Sequence, residues 1–185
     1  MAGAWSQDLV DRAWRFAAGA HLGQTLPGTD LPYSVHVALV CMEVMAALRS
    51  RPGHDEDLAV ACALLHDVLE DTPASVEELR AAFGPAVAAG VLALSKDASL
   101  PREERMTDSL RRIREQPREV WMVKLADRIT NLAPPPPHWT PAKIAAYRDE
   151  AGEILRALGE ASPFLAGRLG KKIEEYAAFL EPAGR

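Results

Sequence analysis

Apolar residues recur at three- and four-residue intervals through almost the whole chain, and no stretch alternates in the two-residue rhythm of a strand. Ser6 is placed to cap a first helix running to about Ala20, with Leu9, Trp14, Phe16 and Ala17 among its apolar residues. The Gly- and Pro-rich stretch Gly23–Pro32 reads as a loop. A second helix starts near Tyr33 and runs to about Leu48, because Val37, Val40, Val44 and Leu48 share one face. A third opens around Asp55 and runs to Asp71, where Thr72-Pro73 stops it. Short helices follow over Ser75–Phe83 and Pro85–Leu94, the first with Ser75 as cap and Glu78 three residues on. The polar segment Ser95–Arg118 contains a charged helical stretch. A further helix covers about Arg118 to Leu132 and ends before the four prolines Pro134–Pro137, which cannot continue it. Two helices, roughly Pro141–Gly159 and Ser162–Leu180, close the chain. The pattern predicts an all-α single domain, residues 1–185, of about eight or nine helices.

Composition narrows this further. The chain has 185 residues, 48% hydrophobic and 25% charged, enough apolar material for one real core. With 21 Lys+Arg against 26 Asp+Glu the formal net charge is −5, which counts against a protein that coats nucleic acid. A local basic pocket for a small phosphorylated ligand stays compatible with it. Cys41 and Cys62 both sit in apolar helical patterns and read as buried thiols of a reducing compartment. No apolar run approaches the ~20 residues that cross a bilayer, and the first residues lack a signal peptide's apolar centre. The expectation is a cytoplasmic protein with no membrane partner; a homo-oligomer stays open.

Reactive side chains are densest in LLHDVLEDT, residues 64–72. On this helix, at 100° per residue, His66 and Glu70 stack one turn apart, as do Asp67 and Asp71, and all four project within an arc of roughly 140°. Leu58, Cys62, Leu65 and Leu69 mark that helix as buried. Three carboxylates and an imidazole crowded there repel one another and resist desolvation, and a divalent cation removes the difficulty. The alternative is a polar helix end, although acids near a C-terminus oppose the helix dipole. His36, among apolar residues of the second helix, is by itself compatible with a satisfied core histidine. Asp127, four residues after Val123, is by itself compatible with pairing to Arg128. Together His36, His66, Asp67 and Asp127 offer two imidazoles and two carboxylates from three helices, a mixed N/O set of charge −2 that suits Mn(II), Fe(II) or a similar octahedral ion.

The order H…HD…D resembles the HD superfamily of metal-dependent phosphohydrolases. The strings AHxGQ (Ala20–Gln24), PYxxH (Pro32–His36), LLHDVLEDT, FGPAVAAGV (Phe83–Val91) and KLADRITNL (Lys124–Leu132) resemble the hydrolase domain of the RelA/SpoT family over residues ~10–135. With no room for a synthetase domain, the chain is similar to stand-alone small alarmone hydrolases. The resemblance implies an HD-domain helical bundle and an enzyme removing the 3′-diphosphate of (p)ppGpp. It implies His36, His66, Asp67 and Asp127 as ligands of a metal, typically manganese. Glu70 and Asp71 match the acidic pair that positions and activates the attacking water. Asn131 matches a substrate-contacting asparagine near the nucleoside or sugar. Trp139, Lys143 and Tyr147, at i, i+4 and i+8, match a stripe lining the substrate pocket, with Lys143 on a phosphate and Tyr147 on the sugar or a phosphate. Apart from the resemblance, such a stripe also fits an ordinary core, Asn131 also fits a helix end, Lys124 is expected to face solvent, and His21 and Gln24 are expected to organise a helix end.

The pattern departs from that family in three places. The loop before PYxxH there carries a basic pair that packs on guanine, whereas Gln24, Thr25, Leu26, Pro27 and Gly28 include no base. Lys96 is shifted from the usual basic position, where Asp97 or Ala98 stands. Val37 replaces a proline after His36. Another nucleotide, such as an adenine alarmone or a dinucleotide phosphate, is the first alternative substrate. A non-catalytic metal-binding signalling module is the second alternative, and the Glu70-Asp71 pair, useless to a pure binder, argues against it.

Overall fold

The computed structural model describes residues 5–180. Among them the chain is all helical: eight helices of ten residues or more, a four-residue helical turn and two 3-10 turns. In order these are α1 (Gln7–Ala20), α2 (Ser34–Ser50), α3 (Glu56–Leu65), the turn α4 (Val68–Asp71), α5 (Val76–Leu94), α6 (Arg102–Arg114), α7 (Arg118–Asn131), α8 (Pro141–Leu158) and α9 (Pro163–Tyr176). An isolated bridge between Thr25 and Pro32 pins the neck of the first loop.

The caps follow the expected chemistry. Ser6 accepts from the Leu9 amide, Asp55 from Leu58, Thr140 from Lys143 and Ser162 from Leu165. Ser75 and Glu78 close a reciprocal capping box. Gly84 takes φ +85°, open to glycine without strain, and Pro85 follows it. The two short helices expected on either side of this point are both present, joined end to end across a kink at the non-helical Gly84, and together they make up α5.

The core is built around α3, which lies among α1, α2, α5 and α7 and buries every residue from Leu58 to Leu65. Each buried leucine there contributes roughly 1.5–3 kcal/mol of transfer free energy. The expected α2 stripe of Val37, Val40, Val44 and Leu48 faces this helix and is buried. Gly90 lets α5 approach closely: a Cβ there would stand 2.8 Å from Cys62 Sγ and 2.9 Å from Val120 Cγ2. Both cysteines are buried free thiols, as expected. Burial pushes Cys41 up to about 11 and Cys62 up to about 12. No described helix is long and apolar enough to cross a membrane.

The third helix does not run unbroken to Asp71. It ends at Leu65, and Asp67 adopts φ −100°, ψ −2° before α4 resumes. The His66 ring supplies the reason: its Nδ1–H donates to the Ala63 carbonyl at 2.9 Å, the acceptor an Asp67 amide uses in a continuous helix. The stacked pairs His66/Glu70 and Asp67/Asp71 are therefore replaced by a corner.

Candidate metal centre and adjoining cleft

The corner lets two neighbouring residues aim at one point. On a continuous helix successive side chains diverge by about 100°. Here His66 Nε2 lies 2.9 Å from Asp67 Oδ2. His36, one turn into α2, brings its Nε2 to 3.2 Å from that of His66 and 3.5 Å from Asp67 Oδ2. Asp127, on α7, adds Oδ1 at 3.4 Å from His36 Nε2 and 3.9 Å from His66 Nε2. The donor atoms of His36, His66 and Asp67 all lie within 4.8 Å of one another.

Hydrogen bonds assign the ring tautomers. The Ala63 carbonyl can only accept, so His66 carries its proton on Nδ1. Thr130 Oγ1 donates to the Asp127 carbonyl at 2.9 Å, which leaves its oxygen to accept from His36 Nδ1–H at 3.3 Å. Both Nε2 atoms then face the two carboxylates across a small gap, where either a proton or an ion can sit. Donors about 2.1 Å from one ion and at right angles lie about 3.0 Å apart, close to the spacings here. The set fits an octahedral dication.

The electrostatics agree. Burial lowers the His36 pKa, but hydrogen bonds to Asp127 and Asp67 outweigh it and raise it to about 9. His66 is likewise raised: burial opposes its charge and Asp67 overcomes it. Burial opposes the charge of Asp67 too, yet His66, His36 and Tyr33 hold its carboxyl well below the usual range. For Asp127 the Lys124 ammonium and His36 do the same. Two permanently charged carboxylates thus draw positive charge into a buried place.

Three supporting residues escape a reading of the sequence. Tyr33 donates its hydroxyl to Asp67 Oδ2 at 2.5 Å and approaches Asp71 Oδ2 at 3.4 Å. The signal for it is its place one turn before His36. Lys124, expected at the surface, is buried and donates to Asp127 Oδ2 at 3.2 Å. A single lysine inside the apolar run VWMVKLA, three residues before the aspartate, is the trace it leaves. Thr130 orients His36 and carries no pattern of its own. His21 and Gln24 act as expected: His21 Nδ1–H donates to Gln24 Oε1 at 2.8 Å, and Gln24 Nε2 donates to the Asp71 carbonyl at 2.8 Å. Asn131 donates to Asp127 Oδ1 at 2.5 Å. Arg128 pairs with Glu150 and stacks 4.3 Å over Tyr147.

Beside the centre opens a cleft of about 410 Å³, whose lining includes Glu70, Lys96, Arg105, Trp139, Lys143 and Tyr147. Trp139 stands before the Thr140 cap of α8, so only Lys143 and Tyr147 share a helical stripe. Its ring still meets Tyr147 edge-on at 5.1 Å, with Lys143 Nζ 4.2 Å above it. Glu70 lines the cleft, and Asp71 is its chain neighbour on α4. Burial and the charges of Asp67 and Glu70 raise the Asp71 pKa, making it a better proton acceptor than a free aspartate.

A helical frame whose corner gathers two histidines and two aspartates in this order is an HD-domain architecture, and the chain belongs to the HD domain family, which matches residues 13–170. It is 32% identical over 149 residues to the guanosine-3′,5′-bis(diphosphate) 3′-pyrophosphohydrolase MESH1 of Danio rerio, covering 77% of this chain and 80% of that protein. The Xenopus tropicalis MESH1 is 31% identical over 167 residues, covering 87% and 90%. A solved structure of a metazoan ortholog of SpoT that hydrolyses ppGpp superposes with a TM-score of 0.81 at 25% identity, covering 97% of this chain and all of that one.

Elemental analysis of the desalted protein after loading with Mn(II) is expected to find one ion per chain. Asp127→Ala should lose it while keeping its helical circular dichroism, and a variant that folds and retains full stoichiometry contradicts the assignment.

Proposed function

We propose that this protein is a manganese-dependent pyrophosphohydrolase that removes the 3′-diphosphate of (p)ppGpp or a related 3′-pyrophosphorylated nucleotide. The observation that carries this is the convergence of His36, His66, Asp67 and Asp127 beside a cleft rich in cations and aromatic rings. The relatives named for this reaction, each spanning most of the chain, support it.

His36, His66, Asp67 and Asp127 hold the ion. A bound divalent ion polarises a phosphoryl oxygen and lowers the pKa of water beside it. Lys124 and Tyr33 keep the two aspartates ionised and oriented. Water attacks the phosphorus attached to the 3′ oxygen, the bond between them breaks, and pyrophosphate and a free 3′-hydroxyl result. Glu70 and Asp71 take the proton of that water, which returns to the leaving 3′ oxygen. Lys143 and Arg105 hold phosphate charge, and Trp139 and Tyr147 offer flat surfaces to sugar and base. Asn131 steadies Asp127 and stands near the sugar.

The loop over Gln24–Pro32 favours a second reading of the base. Where the resembled family carries guanine-packing cations it presents Leu26 and Leu31, the latter 52% exposed. Weak discrimination between guanine and adenine follows, and ppApp is an alternative substrate.

Two measurements test these statements. Glu70→Gln keeps size but accepts no proton, so turnover should fall by roughly 10²–10⁴-fold with metal content unchanged. Undiminished turnover would remove Glu70 from that role. The absence of one stacking or cation–π contact should lower the guanine preference by about 2- to 30-fold, read as kcat/KM for ppGpp against ppApp at the same Mn(II) concentration. A guanine preference above about a hundredfold would show that another part of the chain reads the base.

A further inference from the structure

Glu70 is held by one residue in two ways. The Lys96 amide donates to Oε2 at 2.9 Å, and the Lys96 ammonium donates to Oε1 at 3.2 Å. The two grips differ in kind. The amide lies just past the end of α5, where Ser95 caps the helix through its amide on the Val91 carbonyl, its Oγ donates to the same carbonyl, and Arg112 donates to the Ser95 carbonyl at 2.8 Å. That grip is part of the frame. The ammonium rides on four rotatable methylenes, is about one-third exposed, and faces the cleft that also holds Arg105 and Lys143. Burial lowers the Lys96 pKa, but the Glu70 carboxylate outweighs it and keeps the ammonium charged.

A part-exposed lysine–carboxylate pair is weak. A phosphate group offers three oxygens and more negative charge than a single carboxylate, so it competes well for a mobile ammonium. Arg105 is less free to move, because its guanidinium donates to the Leu100 and Ala98 carbonyls at 2.9 Å each.

We propose that Lys96 is a phosphate-exchanged lock on Glu70: the ammonium neutralises Oε1 while the cleft is empty and transfers to the phosphates of an arriving pyrophosphorylated nucleotide. The amide keeps Glu70 in place by Oε2, and the released Oε1 is free to take the proton of the attacking water. Lys96 thereby links filling of the cleft to arming of the acceptor. This inference rests on the reading of Glu70 as proton acceptor given above.

The test is a double-mutant cycle read by calorimetric binding of inorganic pyrophosphate to the Mn(II)-loaded protein. Lys96→Met should weaken pyrophosphate by about 5- to 30-fold, and Lys96→Arg, which keeps the charge, should stay within about threefold of wild type. Glu70→Gln frees the ammonium in advance and should tighten pyrophosphate by about 2- to 10-fold, a gain that disappears in the Lys96→Met background. If the gain persists without Lys96, it is plain relief of charge repulsion, and the exchange is overturned. Unchanged affinity in Lys96→Met overturns it as well. Failure of the underlying reading looks different: Glu70→Gln would then turn substrate over at the wild-type rate, whatever the binding cycle returns.

Discussion

Two imidazole nitrogens, His36 Nε2 and His66 Nε2, stand 3.2 Å apart with two ionised carboxylates beside them, an arrangement that calls for positive charge among them, a proton or a cation. Each ring has its other nitrogen committed, His66 to the Ala63 carbonyl and His36 to Thr130, so neither turns away. The same two aspartates that hold a proton on His36 are suited to hold a dication. The surrounding frame keeps four acceptors together against their mutual repulsion.

That frame is bought with the burial of α3, whose apolar length carries the corner at its end. Because the His66 ring takes a backbone acceptor of its own helix, the chain turns at Asp67, and the neighbouring histidine and aspartate point to one place. Lys124 and Tyr33 then complete the charge and hydrogen-bond balance of Asp127 and Asp67. On the outer side, α4 presents Glu70 to the cleft, with Lys96 reaching in from the end of α5. On the proposed reading, chemistry at the corner and recognition in the cleft meet at Glu70.

Much of this was legible in the sequence. Helix starts were readable because Ser6, Asp55, Ser75 and Ser162 cap by local side-chain bonds that need no tertiary context. The cluster of His36, His66, Asp67 and Asp127 was readable because its members are rare residue types in apolar surroundings. The corner at 66–67 was not, since helical periodicity continues through it and only a ring-to-carbonyl bond breaks the helix. Lys124 was misplaced because exposure is the ordinary state of lysine, and its burial depends on Asp127 three residues on. Trp139 kept the spacing of a helical stripe although Thr140 starts the helix after it. The hold of Lys96 on Glu70 joins residues 26 apart in the chain, a contact no local pattern encodes.

The most direct test of the central claim is anomalous diffraction from crystals grown with Mn(II). The account predicts a single strong peak within about 2.0–2.6 Å of His36 Nε2, His66 Nε2 and one oxygen each of Asp67 and Asp127. A peak elsewhere, or one from which either histidine stands beyond about 5 Å, would contradict it.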